Sequence, residues 1–436
     1  MWNDVLKGQT GHTGKVLKKE EAWKEYWRRK KLGKSTGEGT TSSLYIESFG
    51  ACTIKKESKM KRANSRRVRR RNRITVLRPR NLIIQILLRL PVKSLARFKS
   101  VCKSWFSLIS DPHFAISHFE LAAACTERLL LLEPTVPEVR SIDFNAPLHD
   151  DSASAALNFN FLSPESHSDL ILGSCRGFVL LDCSQSLCLW NPATGIHKQV
   201  CQSPIASDMD ARVFVFLNGF GYDPSTDDYL VVQASYNVDS EVATRVEFFS
   251  FRANAWKEIE GIHLSYMNSC DDIRTGLLLN GAIHWLAYRC DVSMDVIVAF
   301  DLTERSFSDI LLPDDMCEYD LCNLGVLGDF LCVHVYGYDC PAKIWVMKEY
   351  KIQSSWTKSV DVSVDEIPTK YFSLICSTKS GDIVGKDGNN GLVKCNSEGQ
   401  LLEHRSYSNC RSHSLVAVYT ESLLSLPYDG DQAEED

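Results

Sequence analysis

Residues 129–424 consist of short runs of β-branched, aromatic and other apolar residues, separated by turn sequences. Runs such as 178–181, 187–190, 229–232 and 296–300 are four or five residues long, which is typical of buried strands. Turn residues lie between the runs at Asn191-Pro192, Asp223-Pro224, Asn280-Gly281 and Asn390-Gly391. Because helical periodicity is nearly absent here, we predict that this segment buries its core between β-sheets.

Aromatic residues recur along this segment after a strand and a polar turn. Trp190, Trp256, Phe307 and Trp356 lie 66, 51 and 49 residues apart. A period near ~50 residues is typical of kelch-type propeller blades, although no pair of adjacent glycines marks a blade. We therefore predict an all-β, propeller-like domain over 129–424.

Residues 77–124 have a helical pattern instead. Leu82, Ile83, Ile86, Leu87 and Leu90 recur at helical spacing up to Pro91, and a second periodic run extends over residues 95–109. Asp111-Pro112 is typical of a helix start and predicts a third helix through Phe114 and His118. Three helices in fewer than ~50 residues bury little surface by themselves. We expect their exposed apolar side chains to meet a partner.

The charge of the chain divides it into a basic head and an acidic body. Residues 1–76 carry 21 Lys and Arg against 7 Asp and Glu, and the remainder carries 28 against 48. Glycine, serine and threonine dominate 34–43, and eight of the fourteen residues in 60–73 are basic. We predict a disordered basic N-terminal extension over 1–76 and an acidic tail over 425–436. Translation from Met60 in place of Met1 stays an open alternative.

The sixteen cysteines contain no Cys-x-x-Cys pair, and most lie in apolar runs such as 331–333. This pattern indicates reduced, buried thiols and predicts a cytoplasmic or nuclear protein. It also predicts no metal site. No apolar stretch approaches the ~18 residues of a membrane span, so we expect no membrane contact. The acidic body argues against nucleic acid as a partner, since only the basic head could bind it.

Sequence patterns of catalysis are missing. There is no Gly-x-Ser-x-Gly and no His-Glu-x-x-His. His284 beside Trp285 is interpreted as a structural strand residue, and the Asp227-Asp228 and Asp271-Asp272 pairs as turn caps. We therefore predict no catalytic residue and no cofactor.

Two parts of the sequence resemble known domains. Residues 79–114, PRNLIIQILLRLPVKSLARFKSVCKSWFSLISDPHF, resemble an F-box. The body resembles the F-box-associated domain of the large plant F-box/kelch-like family at GFVLL (177–181), LWNPATG (189–195), FGYDPSTDDY (220–229) and NGAIHWL (280–286). The resemblance implies a short three-helix F-box over 77–124, followed by a β-propeller-like associated domain over 129–424.

The resemblance also implies a function. An F-box docks on a Skp-type adaptor of an SCF-type cullin–RING ubiquitin ligase, and the associated domain binds the target protein for ubiquitination. The implied adaptor-binding residues are Pro79, Leu82, Ile83, Ile86, Leu87, Leu90, Pro91, Val92, Leu95, Val101, Cys102 and Trp105. The competing interpretation is that Phe98, Trp105 and Ile109 only hold the helices together.

The opening of the segment departs from the family pattern. Arg78-Pro79-Arg80-Asn81 stands where the family has Leu-Pro followed by two acidic residues, and Gln85 replaces a common glutamate. Losing one apolar contact at Arg78 would cost adaptor binding about 1–2 kcal/mol.

The alternative function is a ligase-independent scaffold or a nuclear RNA-associated protein that uses the basic head. A third possible function is sugar binding by the propeller, but the sequence offers no decisive set of aromatic residues and carboxylates for a sugar site. Substrate contacts are expected on loops at one rim of the β domain, with no residue assigned. Trp190, Trp256, Trp345 and Trp356 are expected to be core residues.

Overall fold

The computed structural model describes residues 79–122, 127–133, 138–157, 170–183, 186–204, 213–237, 245–259, 266–267, 274–289, 292–314, 322–335, 341–389, 391–407 and 415–426. The predicted N-terminal extension, the Asp271-Asp272 pair, Asn390 and nearly all of the predicted acidic tail lie outside these residues.

The described chain begins with four short helices. They are α1 (Pro79–Leu87), α2 (Val92–Phe98), α3 (Lys103–Ile109) and α4 (Pro112–Ala122). Asp111 begins α4 as predicted, because its Oδ1 accepts hydrogen bonds from the amides of His113 (2.8 Å) and Phe114 (3.2 Å). Within the described residues no helix is long and apolar enough to cross a bilayer.

The second periodic run forms two helices where the sequence predicted one. Cys102 is extended, with φ −161° and ψ 161°, and the Ser100 hydroxyl donates to the Arg97 carbonyl (2.7 Å) at the end of α2. Trp105 of α3 packs edge-on against Phe98, with ring centroids 5.3 Å apart. The apolar period continues across the break, and both helices contribute buried residues, Leu95 from α2 and Ile109 from α3. The short helical segment is thus confirmed, with four helices in place of three.

Six antiparallel four-stranded blades follow. Blade 1 contains β1 (Glu127–Glu133), β2 (Glu138–Ile142) and β3 (Ser154–Leu157); blade 2 contains β4 (Leu170–Cys175), β5 (Phe178–Asp182), β6 (Ser186–Trp190) and β7 (His197–Cys201); and blade 3 contains β8 (Val213–Asp223), β9 (Asp228–Asn237), β10 (Arg245–Ser250) and β11 (Ala255–Glu258). Two short strands come next: β12 (Tyr266–Met267) pairs with the later strand β15 (Ala282–Arg289), and β13 (Arg274–Thr275) pairs with β8.

The remaining strands complete the ring. Blade 4 contains β14 (Leu277–Leu279), β15 (Ala282–Arg289), β16 (Met294–Asp301) and β17 (Ser306–Leu311); blade 5 contains β18 (Cys322–Leu327), β19 (Phe330–Val335), β20 (Ala342–Met347) and β21 (Trp356–Val362); blade 6 contains β22 (Ser373–Ser377), β23 (Ile383–Lys386), β24 (Gly391–Cys395) and β25 (Leu401–Ser406). The last strand, β26 (Leu415–Thr420), pairs with β1 and completes blade 1.

The blades close into a ring. Neighbouring blades contact each other through β26 and β4, β4 and β8, β8 and β14, β15 and β18, β18 and β22, and β22 and β26. A closed ring leaves no exposed inner edge. The predicted propeller-like domain is therefore confirmed, and the structure adds that it has six blades.

The two ends of the blades differ in what they carry. In a four-stranded antiparallel blade, the turns between the first two and the last two strands lie at one end, which we call the hairpin face. Glu127 at the start of β1 pairs with Thr420 at the end of β26. Both therefore lie at the hairpin face, and the helices and the C-terminal residues extend from this face.

One apolar cluster joins the helices to the propeller. It contains Leu87, Leu88, Val92, Leu95, Ile109, Phe114 and Ala115 from the helical segment, Leu172, Phe178 and Phe220 from blades 2 and 3, and Leu423, Leu424 and Leu426 from the C-terminal residues. The helices thus complete their core on the propeller, which the sequence did not predict.

The repeated aromatic residue is only partly a blade repeat. Trp256, Phe307 and Trp356 stand at the start of the outer strands β11, β17 and β21. Trp190 instead lies on β6, the third strand of blade 2, where it pairs with His197 of the outer strand β7. The interval of 66 residues therefore joins two positions that are not equivalent, whereas the intervals of 51 and 49 follow the blades.

Candidate functional site: an apolar face on the helical segment

The predicted adaptor-binding residues of α1 divide into two sides. Leu82, Ile83 and Ile86 are exposed by 50%, 38% and 53%. Leu87, one residue further, is buried in the cluster shared with the propeller. Side chains three and four positions apart share a helix face, so α1 presents an apolar face to solvent and a second one to the core. Pro79 begins α1.

The other predicted residues show the same division. Val92 and Leu95 of α2 are buried, Leu90 and Trp105 are half-buried, and Pro91, Val101 and Cys102 are exposed. The buried residues hold the helices together and cannot contact a partner without rearrangement. Ile109 is buried too, and Phe98 packs against Trp105, which supports the interpretation that these three stabilise the helical segment.

Sequence reasoning missed three exposed apolar residues. Phe106 of α3 and Ile116 and Leu121 of α4 are exposed by 56%, 39% and 50%. The signal was an excess of apolar residues over what one face of such short helices can bury. We call the exposed set Leu82, Ile83, Ile86, Val101, Phe106, Ile116 and Leu121 the apolar face.

The helical segment that carries the apolar face is basic. The sequence of α1 to α4 has six Lys and Arg against two acidic residues, Asp111 and Glu120. Arg89 donates to the side-chain oxygen of Gln85 (3.1 Å) and to its carbonyl, so Gln85 is tied to its own helix. His118 is fully buried, and its Nε2 donates to the Leu90 carbonyl (2.9 Å), which fixes α4 against the end of α1. The face suits a partner that is apolar and acidic.

The propeller offers no sign of catalytic or metal chemistry within the described residues. None of them form a group of three metal-binding side chains, and the nine described cysteines are thiols outside any disulfide. His284 is fully buried beside the Leu277 carbonyl (3.1 Å) and the Tyr350 hydroxyl (2.7 Å), and burial lowers its pKa to about 4. It is therefore neutral at pH 7 and has the structural position that the sequence indicated.

The sequence predicted that Asp227 and Asp228 cap backbone amides in a turn. Asp228 does so, whereas Asp227 binds a side-chain hydroxyl. Asp228 accepts hydrogen bonds from the Arg252 amide (2.8 Å) and the Ser250 hydroxyl. Asp227 instead accepts from the Tyr222 hydroxyl (2.6 Å). Both carboxylates thus have structural partners at the hairpin face.

The helical unit with an exposed apolar face and the six-bladed ring define a two-part binding protein. The family description "F-box domain" matches residues 79–117, and "F-box associated beta propeller domain" matches residues 130–425. The chain therefore belongs to the F-box proteins that carry an F-box-associated β-propeller domain. Proteins of this family are typically non-catalytic subunits, and the match supports a general role in substrate recognition for an SCF-type ubiquitin ligase.

Two relatives come from Arabidopsis thaliana. An F-box/kelch-repeat protein is 30% identical over 363 residues, covering 80% of this chain and 95% of the relative. The F-box protein CPR1 is 27% identical over 377 residues, covering 79% and 88%. Among solved structures, a chain of a nidogen/laminin complex has 10% identity and a TM-score of 0.42, covering 68% of this chain and 99% of that one. This last similarity is too low to support an argument.

Proposed function

We propose that the exposed apolar face docks on a Skp-type adaptor and that the propeller captures the protein to be ubiquitinated. The observation that carries this proposal is the exposure of Leu82, Ile83 and Ile86 on α1, in a segment that matches the F-box family. Apolar side chains that are half exposed on a short helix gain free energy when a partner covers them.

Charge supports the same proposal. The basic residues of the helical segment favour an acidic adaptor surface, and oppositely charged pairs raise the association rate more than the affinity. Arg89, Lys93 and Lys103 are exposed there. The rate of adaptor association is expected to fall as salt is added.

The target is expected to bind the propeller away from the helices. Blade 2 is covered at the hairpin face by the helical segment and the C-terminal residues. Location in the cytoplasm or the nucleus stays a prediction.

The test is a titration of the full-length chain with a purified Skp-type adaptor. Ile86→Asp is expected to weaken binding at least ~30-fold, because a charge in the centre of a desolvated apolar contact costs about 2 kcal/mol or more. The control is Leu402→Asp, since Leu402 is equally exposed (51% against 53%) but lies on β25 of blade 6. Binding by Ile86→Asp as tight as wild type, or no binding by the folded wild type, would contradict the proposal.

The competing function is RNA association through the basic head. The net charge of residues 1–76 favours it, with 21 basic against 7 acidic residues. Its test is retention on immobilised RNA by the wild type and by a variant with the arginines of 66–73 changed to alanine. Salt-sensitive retention that the variant loses, together with no adaptor binding, would favour this function.

A further inference from the structure

Blade 2 and blade 4 contain the same hairpin turn with different occupants. Arg176-Gly177 joins β4 to β5 with φ 50° and 88°, and Asn280-Gly281 joins β14 to β15 with φ 51° and 76°. Asparagine followed by glycine is the usual sequence of such a turn, because both residues tolerate positive φ. Arginine at the first position is strained. The blade 2 turn therefore carries a residue that its backbone does not favour.

The side chain of Arg176 connects three elements. Its guanidinium carbon lies 4.1 Å from the ring centre of Tyr222 at the end of β8, and 5.2 Å from the ring centre of Phe119 in α4. Both distances are in the range of attractive cation–π contacts. Arg176 thus links a propeller blade, its neighbour and the adaptor-binding helices.

The C-terminal residues 421–426, which we call the strap, cover the same turn. A Cβ added to Gly177 would lie 2.3 Å from the Cβ of Ser422, whereas one added to Gly281 would meet no atom within 4 Å. Leu423, Leu424 and Leu426 of the strap are buried in the cluster that contains the F-box core. The strap therefore lies on the blade 2 turn and against the helices.

A second turn of blade 2 fixes the strap. Asn191 follows β6 and is fully buried, and its Oδ1 accepts from the amides of Ala193 (3.0 Å) and Thr194 (3.3 Å). Its Nδ2 donates to the carbonyls of Ser422 and Leu424, both at 3.2 Å. In blade 4 the equivalent turn has Asp301, whose Oδ1 caps two amides at 2.8 Å. A carboxylate can cap such a turn but cannot donate to a strap.

We propose that Arg176, Asn191 and the strap form a seat that fixes the adaptor-binding helices in one orientation on the propeller. The functional role of the seat rests on the proposed function: if the helices bind the adaptor and the propeller binds the target, the seat fixes the orientation of the adaptor relative to the target. Arg176 is a positioning residue, since it belongs to the propeller and contacts α4 through the half-buried ring of Phe119, which is not part of the apolar face. Val92 and Leu95 of α2 belong to the same buried cluster as the strap leucines, so α2 shares its core with the strap as well.

The test is hydrogen exchange of the full-length chain without adaptor, so that a failure of adaptor binding cannot affect it. Arg176→Asn gives blade 2 the turn sequence of blade 4 and removes the contact with Phe119. We expect amides of α4 to exchange about tenfold faster. Amides of β15 and β16 in blade 4 are expected to be unchanged. Asn280→Arg is the matched control and is expected to leave α4 unchanged.

Asn191→Asp tests the strap separately. It keeps the turn cap, as Asp301 shows, and removes both hydrogen bonds to the strap, so amides of 421–426 and α4 should exchange faster. Adaptor affinity of Arg176→Asn is expected to stay within threefold of wild type. Unchanged exchange in α4 for both variants, or equal acceleration in every blade, would overturn the seat. A loss of adaptor affinity without faster exchange would make Arg176 an adaptor contact and would also overturn it.

Discussion

At the scale of single residues, neighbouring positions of one helix have different functions in this protein. Ile86 is half exposed on α1, and Leu87 beside it is buried in the core that the helices share with the propeller. Both are apolar and both fit the F-box pattern. Their exposure, and not their residue type, decides which one can contact an adaptor.

Replacing a buried residue of this segment should cost stability before it affects docking. Leu95→Ala is expected to lower the free energy of unfolding by about 2–5 kcal/mol, because Leu95 has no exposed surface and leaves a cavity. Ile86→Ala is expected to change it by less than ~0.5 kcal/mol. Urea unfolding of the full-length chain measures both. Similar losses for the two variants would contradict the division of the helical segment into a buried side and an exposed side.

A buried ion pair at the hairpin face should make stability depend on pH. Asp223 at the end of β8 accepts from Arg305 (2.8 Å), Thr226 (2.8 Å) and Ser225 (2.9 Å). Burial raises the pKa of Asp223, but these hydrogen bonds more than offset it and hold the pKa at about 2, against an ordinary value of 3.8. The folded-state pKa is lowered, so its contribution is present above pH ~4 and is lost as the pH falls towards 2.

The expected size of this contribution is about 2 kcal/mol, from a pKa change of nearly two units. Urea unfolding of wild type and Asp223→Asn at pH 7, 5 and 3 should show a difference that shrinks as the pH falls. Asp365→Asn, in an exposed loop, is the control for removal of a surface carboxylate and should change the free energy of unfolding at pH 7 by less than ~0.5 kcal/mol. A difference that stays constant from pH 7 to 3 would count against the ion pair.

At the scale of elements, the sequence predicted the type of structure better than its boundaries. The strand runs at 178–181, 187–190, 229–232 and 296–300 all lie in strands of the ring. The run over 95–109 was predicted as one helix because its apolar period is unbroken, whereas the extended backbone at Cys102 divides it into two helices, with Trp105 packed on Phe98 across the break. Periodicity shows which side a residue faces, but it does not show where the backbone turns.

The candidate site was predicted to a similar extent. The sequence identified the helical segment and its adaptor-binding positions as a set. It could not separate the exposed Leu82 from the buried Val92, because the propeller and the strap that bury Val92 lie far away in the sequence. Phe106, Ile116 and Leu121 were missed for the same reason.

The two equivalent glycine turns should respond differently to the same substitution. Gly281→Ala is expected to cost about 1 kcal/mol, because φ is 76° but the space around it is open. Gly177→Ala has a similar backbone penalty, and its added methyl group also meets Ser422 of the strap. Its cost should exceed that of Gly281→Ala by at least ~1 kcal/mol. Thermal unfolding of both variants makes the comparison, and equal costs would show that the strap does not press on the turn.

At the scale of the whole molecule, the ring and the helices form one continuous core. Blade 1 is built from both ends of the domain, since β26 pairs with β1 from Leu132↔Leu415 to Glu127↔Thr420. The strap continues from β26 directly to the helices. Stability of the helical segment is therefore expected to depend on the C-terminus of the chain.

Two truncations test this dependence. Removing 427–436 is expected to leave adaptor affinity unchanged. Removing 421–436 also deletes Leu423, Leu424 and Leu426, each of which is expected to contribute about 1.5–3 kcal/mol by burial. The longer truncation should therefore weaken adaptor binding at least tenfold, as measured by titration with the adaptor. Equal binding by the two truncated chains would contradict the coupling.

The pairing of β26 with β1 also matters during synthesis of the chain. A ribosome makes the adaptor-binding helices first and β26 with the strap last, although these two ends of the chain share one core. A nascent chain, or one that ends at a premature stop codon within blade 6, has the helices without the residues that support them. Such an incomplete product is expected to compete poorly for the cell's adaptor pool and therefore to interfere little with the full-length protein.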